Sequence, residues 1–158
     1  MIIVEVPILK AVEDDLKQVV HKFRRWESLP LLALRTLPSI RFLADSDRYH
    51  GQPERRRSNA AVRQRIKDGM ERTAIADDQT ALTSLFAFDD QTRSLADRQK
   101  VAARCRGVST ESFRKKTEQA MLREFSEEIY RWELERLLLQ VQRLQKEPLD
   151  IASPPARQ

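Results

Sequence analysis

Residues 94–123 read SLADRQKVAARCRGVSTESFRKKTEQAMLR, and they decide the fold class. Ser94 and Asp97 have capping-box spacing: the serine hydroxyl accepts the amide three residues on, and the aspartate reaches back. The helix they open is expected to bury Leu95, the stem of Arg98, Val101, Ala102 and Cys105. Gly107 stops it, because glycine takes the positive φ of a tight turn without a Cβ clash. Ser109 then caps a second helix. Ala103 is small enough to let the two helices approach, and Val108 and Phe113 plug the angle between them. Two helices joined by a three- or four-residue turn follow the helix-turn-helix plan. The second helix meets no glycine or proline before Pro148, so the spacing predicts one long helix over 109–147.

Outward from this stretch, period-3.6 patterning dominates. Val12, Leu16, Val19, Val20 and Phe23 mark a helix over about 11–25. Pro30 and Pro38 each suit the first turn of a short helix, giving 29–36 and 38–44. The stretch 45–58, DSDRYHGQPERRRS, has loop chemistry. Ser58 is placed to cap a helix over about 59–76, striped by Val62, Ile66, Met70 and Ile75 and weakened by Gly69. Another helix over about 78–88 buries Leu82, Leu85 and Phe86. The expected fold is all-α: a multi-helix domain over 11–147 containing the helix-turn-helix and the long last helix. MIIVEV begins a short extended segment, 1–10, and 148–158 forms a disordered tail.

Composition narrows the function classes. The chain has 158 residues and a net charge of +5. Only three glycines are present, too few and too scattered for a Gly-rich phosphate loop or a dinucleotide fingerprint. One cysteine, Cys105, allows neither an intrachain disulfide nor a Cys-based zinc site. The single cysteine leaves the redox compartment unconstrained, with the cytoplasm as the default, and no apolar run approaches the roughly 20 residues that cross a bilayer. His21 and His50 have no second ligand nearby in sequence. The doublets Asp77-Asp78, Asp89-Asp90 and Glu127-Glu128 are not catalytic pairs, because adjacent helical residues do not face each other. No nucleophile–base pair is evident. The reading is therefore a non-enzyme without cofactor or metal.

The stretch GVSTESFRKKTEQAM resembles the helix-turn-helix of bacterial transcription regulators. Within that class it is most similar to the promoter-reading region of sigma factors. The resemblance covers 94–123 and implies that the helix starting near Ser109 enters the major groove of double-stranded DNA. It implies base contacts from Thr110, Glu111, Arg114 and Lys115, with Arg114 forked onto guanine and Glu111 accepting from cytosine. Arg98, Lys100, Arg104, Arg106 and Lys116 would then hold backbone phosphates. Two residues depart from the pattern. Arg106 stands where an apolar residue usually precedes the turn glycine, and Lys116 stands where one usually follows the plug.

Two further features bear on partners. Arg55, Arg56 and Arg57 with Arg63, Arg65 and Lys67 form a basic cluster, suited either to a nucleic-acid backbone or to a solvated helix face. Tyr130, Leu134, Leu137, Val141 and Leu144 follow a 4-3-4-3 spacing, a two-heptad seam that Trp132, Leu138 and Leu139 widen. It fits a homodimer or docking within the chain. The expected function is a small DNA-binding transcriptional regulator acting as a dimer. The alternative is a helical adaptor that binds a protein partner.

Overall fold

A computed structural model describes residues 9–22, 37–73 and 76–152. The architecture is all-α, and no strand occurs among the described residues. Helix α1 spans Leu9–Lys22, α2 Pro38–Ala44, α3 Glu54–Glu71, α4 Ala76–Leu85 and α5 Leu95–Arg106. The last helix, α6, opens with Thr110–Ser112, passes through a π-helical segment at Phe113–Thr117 and continues over Glu118–Ala152. A single 3-10 turn, Asp47–Tyr49, lies between α2 and α3.

Several boundaries differ from the sequence reading. Leu9 and Lys10 are helical, so α1 begins inside the segment expected to be extended. Helix α3 starts at Glu54, with Pro53 as its first flanking residue and no side-chain cap, so Ser58 is inside the helix. Pro53 supplies the fixed φ that lets the chain enter a helix early. Helix α6 runs through Pro148 to Ala152, where a stop was expected. The segment MIIVEV, the end of the first helix from Phe23, the 29–36 helix, Ile75 and residues 153–158 lie outside the described residues.

One apolar core joins the helices. Val12, Leu16, Val19 and Val20 bury the inner face of α1, which packs on α6. Val62, Ile66 and Met70 do the same for α3. Gly69, which weakens α3 as an isolated helix, lets Phe125 and Ile129 of α6 pack close against α3. A Cβ there would lie 3.2 Å from Phe125 Cε2 and 3.4 Å from Ile129 Cγ1. Helices α4 and α5 run antiparallel, since Leu85 meets Arg98 at one end and Asp78 meets Arg106 at the other.

The serine cap and the glycine stop of α5 follow the sequence reading. Ser94 Oγ accepts from the Asp97 amide at 3.2 Å. Gly107 is left-handed at φ 68°. Its amide donates to Arg104, and the Val108 amide donates to Ala103, which is the Schellman pattern. Open space surrounds the position of a Gly107 Cβ, so an added methyl is penalised by backbone strain alone. Gly107→Ala is expected to lower stability by about 1–2 kcal/mol, measured as a shift in the urea midpoint at unchanged slope.

Candidate nucleic-acid interface

The turn Gly107–Ser109 joins α5 to α6, and Ser109 Oγ accepts from the Ser112 amide at 3.2 Å. Phe113 is fully buried, and Val108 packs partly against the same core. Glu111, Ser112, Arg114, Lys115 and Lys116 are exposed on the opening turns of α6, and Thr110 is half-buried. The start of α6 is thus presented to solvent, while its one large aromatic anchors it.

The π-helical segment accounts for one of the two departures from the helix-turn-helix pattern, Lys116. In an α-helix, the residues beneath Phe113 would be Thr117, Met121, Glu124 and Glu128. The buried face is instead Phe113, Glu118, Met121, Leu122, Phe125 and Ile129. The step from Phe113 to Glu118 is five residues, the i→i+5 hydrogen-bond spacing of a π turn. That extra residue rotates Lys116 outward and half-buries Thr117. Arg106 needs no apolar surroundings, because its guanidinium reaches the buried carboxylate of Asp78 on α4. Cys105 packs partly against the core beside it.

The residues assigned to DNA separate into three groups. Arg98 is not on the surface. It is 3% exposed, with Nη1 donating to the Leu85 carbonyl and Nη2 to the Val20 carbonyl at 3.1 Å. It ties the C-terminal ends of α1 and α4 to α5, where helix dipoles favour a cation. Burial lowers its proton affinity, partly offset by Glu118 and Asp89. It cannot hold a phosphate. Arg106 is occupied by Asp78. Arg114 donates Nε to Gln99 Oε1 at 2.9 Å, and Lys115 pairs with Glu111 at 2.8 Å in solvent, a pair of little energetic weight. Lys100, Arg104 and Lys116 are exposed. They line α5 and the start of α6 with positive charge.

A polar network absent from the sequence reading stiffens this corner. Glu118 is buried and faces His21 Nε2 at 3.1 Å. It also accepts from Gln99 Nε2 at 3.2 Å. Gln99 in turn holds Arg114. The chain from α1 through α6 and α5 back to α6 fixes where the Arg114 stem leaves the helix. Glu118 was legible as an acid four residues before Leu122, on the apolar stripe.

The remaining sequence candidates fall elsewhere. His50 is exposed in the loop before α3. Asp89 and Asp90 organise the turn before α5, with Asp90 Oδ1 accepting from Thr92. Those hydrogen bonds hold the Asp90 carboxyl below its ordinary range. Arg55 and Arg56 are exposed, and Arg57 is half-buried with Asp45 3.7 Å away. Arg63 lies over the Phe88 ring. Arg65 leaves the cluster entirely, because it is buried against Glu133 of α6. In the seam, Leu137 is buried and Tyr130, Val141 and Leu144 are half-buried, whereas Leu134, Leu138 and Leu139 are exposed. Trp132 is surrounded by arginines rather than joined to an apolar face.

Comparison with protein-family models, with curated proteins and with solved structures returns no match. Among the described residues no three side chains of metal-ligating type converge, and no helix is long and apolar enough to cross a membrane.

Arg98 and the exposed cations should separate cleanly in experiment. Arg98→Met leaves two helix-end carbonyls without their donor, each worth about 1–3 kcal/mol. The expected outcome is a clear fall in melting temperature. Lys100→Ala and Arg104→Ala should leave the melting temperature nearly unchanged.

Proposed function

We propose that the chain binds double-stranded DNA through the α5–turn–α6 corner, as a small transcriptional regulator. The observation that carries this reading is the outward-facing start of α6. Ser109 caps it, Phe113 anchors it, and Glu111, Arg114, Lys115 and Lys116 stand exposed on it. Lys100 and Arg104 extend the positive surface along α5. In this reading the first turn of α6 enters the major groove. Arg114 keeps its Nη atoms for a guanine edge while Gln99 holds its Nε, and Glu111 turns from Lys115 to a cytosine amine. Thr110 and Lys115 flank them. Lys100, Arg104 and Lys116 take phosphates, and Arg98 and Arg106 leave the contact set.

A homodimer accompanies this reading, because a helix-turn-helix protein that reads two half-sites works as a pair. Leu137 is turned inward, so the dimer face is rotated from the sequence seam onto Leu134, Leu138 and Leu139. Leu138 and Leu139 are 60% and 59% exposed. Val141 and Leu144 continue the surface. Helix α6 beyond Leu137 is long, and an isolated helical arm is marginal in water without a packed face.

Two measurements test these statements. Titrating salt against duplex DNA should give a log–log slope reflecting several released counterions. Arg104→Ala should weaken all duplexes alike and reduce that slope by about one, whereas Arg114→Ala should cost about 1–3 kcal/mol at one base pair only. Absence of duplex binding at low salt would favour the protein-binding adaptor instead. For the dimer, Leu138→Glu with Leu139→Glu is expected to give a folded monomer by sedimentation and melting. A wild-type chain that sediments as a monomer at high concentration would remove the dimer.

A further inference from the structure

A cleft of about 540 Å³ opens where the end of α1, the turn after α4 and the start of α5 meet. His21, Lys22, Arg93 and Arg98 line it, and among the described residues no carboxylate does. Arg98 is 3% exposed. Its Nη atoms hold the Leu85 and Val20 carbonyls, but its Nε is buried without a hydrogen-bond partner. Glu118 and Asp89 act on its charge only through space. Buried charges are ordinarily paired. This one stands in the wall of a cleft, where a counter-charge can be brought to it.

The start of α5 adds to the same wall. Ser94 and Leu95 line the cleft, and the Ser94 side chain takes the Asp97 amide. The Leu95 and Ala96 amides have no acceptor within the helix. The helix dipole makes this end positive and suited to an anion. Lys22 brings an exposed ammonium from the end of α1. Arg93 is partly engaged, since Asp89 faces it at 2.9 Å, and Glu118 faces His21 at 3.1 Å. Asp97, the acid in the first turn of α5, is exposed and does not line the cleft. Among the described residues, the wall cations without a carboxylate partner are Lys22 and Arg98.

We propose that this cleft binds a small organic phosphomonoester, its phosphate seated at the start of α5 on the Leu95 and Ala96 amides, the Ser94 hydroxyl and Lys22. Arg98 gives the phosphate no hydrogen bond. Its charge acts from within the wall, where salt screens it less than in open water. A dianion answers both unpartnered cations, whereas a carboxylate would answer one. The cleft has the size of a small-molecule site and far exceeds a bare phosphate, so the group carries a body. Gln91 and Thr92 offer that body neutral polar atoms, and Ala87 and Leu95 a small apolar wall, which suits a hydroxyl-bearing carbon skeleton. Lys100, Arg104 and Lys116 lie outside the cleft, so the inference is independent of the DNA reading of the α5–α6 corner.

His21 serves as the reporter, because it lines the cleft and His50 is the only other histidine. Glucose 6-phosphate is titrated into the full chain at fixed pH and at constant ionic strength set with sodium chloride. The imidazole proton resonances are followed by NMR, and His50→Gln assigns the two histidines. The expected result is a saturable shift of the His21 resonance with His50 unmoved, together with a rise in melting temperature. Lys22→Gln with Arg93→Gln should raise the Kd about tenfold or more, while the melting temperature in chloride stays near that of the unmodified chain. Lys100→Ala with Arg104→Ala should bind the sugar phosphate as the unmodified chain does. Inorganic phosphate should give a weaker saturable shift, and glucose none. A His21 shift with a short duplex but none with glucose 6-phosphate would overturn the proposal and give the cleft to a nucleic-acid backbone. So would the absence of a saturable shift with either phosphate probe, an equal shift with glucose, or an unchanged Kd in the Lys22/Arg93 variant.

Discussion

A carboxylate with no exposure to water must be met by hydrogen bonds and a counter-charge, and Glu133 imposes that demand at the centre of the fold. It is 0% exposed and sits on α6, one helical turn beyond Ile129. The Ser39 amide at the start of α2 donates to it at 3.3 Å, the Ser39 hydroxyl donates to its other oxygen, and Arg65 of α3 faces that same oxygen. The start of a helix is a natural anion site, because its first amides have no intrahelical acceptor. Glu133 thereby fixes three helices with one side chain. Such a pair adds little net stability over an apolar replacement. Removing one partner, however, leaves an uncompensated buried charge costing about 3–5 kcal/mol. Its effect is on registration: α2 and α3 have one position along α6 at which this carboxylate is satisfied.

Arg98 does the corresponding work on the other side of the molecule. Its two Nη atoms take carbonyls from α1 and α4, and the Ser84 hydroxyl donates back to the Arg98 carbonyl at 3.3 Å. The C-terminal turn of α4 is closed independently. Phe88 and Ala87 donate to Thr83 and Ser84, with Ala87 held at φ 56°. Leu85, at the end of that helix, therefore keeps its carbonyl for the arginine. Glu133 thus ties α2 and α3 to α6, Arg98 ties α1 and α4 to α5, and the apolar core joins the two groups.

This arrangement explains which parts of the molecule were legible in its sequence. The caps at Ser94 and Ser109, the left-handed Gly107 and the stripes of α1 and α3 obey local rules, and the structure reproduces the caps, the glycine and the part of each stripe that lies among the described residues. The buried face of α6 was legible only in part. Its phase breaks between Phe113 and the Met121–Leu122–Phe125–Ile129 stripe, and that break is the signal of the π turn. Charged residues misled for a physical reason. Sequence alone assigns arginine to the surface or to phosphate, but Arg65 and Arg98 are buried because carboxylate and carbonyl acceptors on distant helices await them. Those acceptors lie 68 residues away for Arg65 and 78 for the farther Arg98 partner. No local pattern encodes such separations. Glu118 and Glu133 were the available clues, since both continue the apolar stripe of α6 as acids.

The π segment also reconciles two demands on α6 that a regular helix would set against each other. Phe113 must point into the core for the helix to leave the Gly107 turn at a fixed angle. Leu122, Phe125 and Ile129 must point into the same core to meet Gly69 on α3 and the inner face of α1. At 100° per residue, Phe113 and Phe125 diverge by about 120°. One added residue brings that difference to about 20° and leaves Arg114, Lys115 and Lys116 together on the outside. The basic surface at the start of α6 is therefore a consequence of core packing further along the same helix. Removing one residue between Arg114 and Thr117 would restore a regular helix. Phe113 and Phe125, then eleven residues apart, would still differ by only about 20° on that regular helix, so Phe113 would keep its place in the core and the outward cations would be reduced by the residue removed.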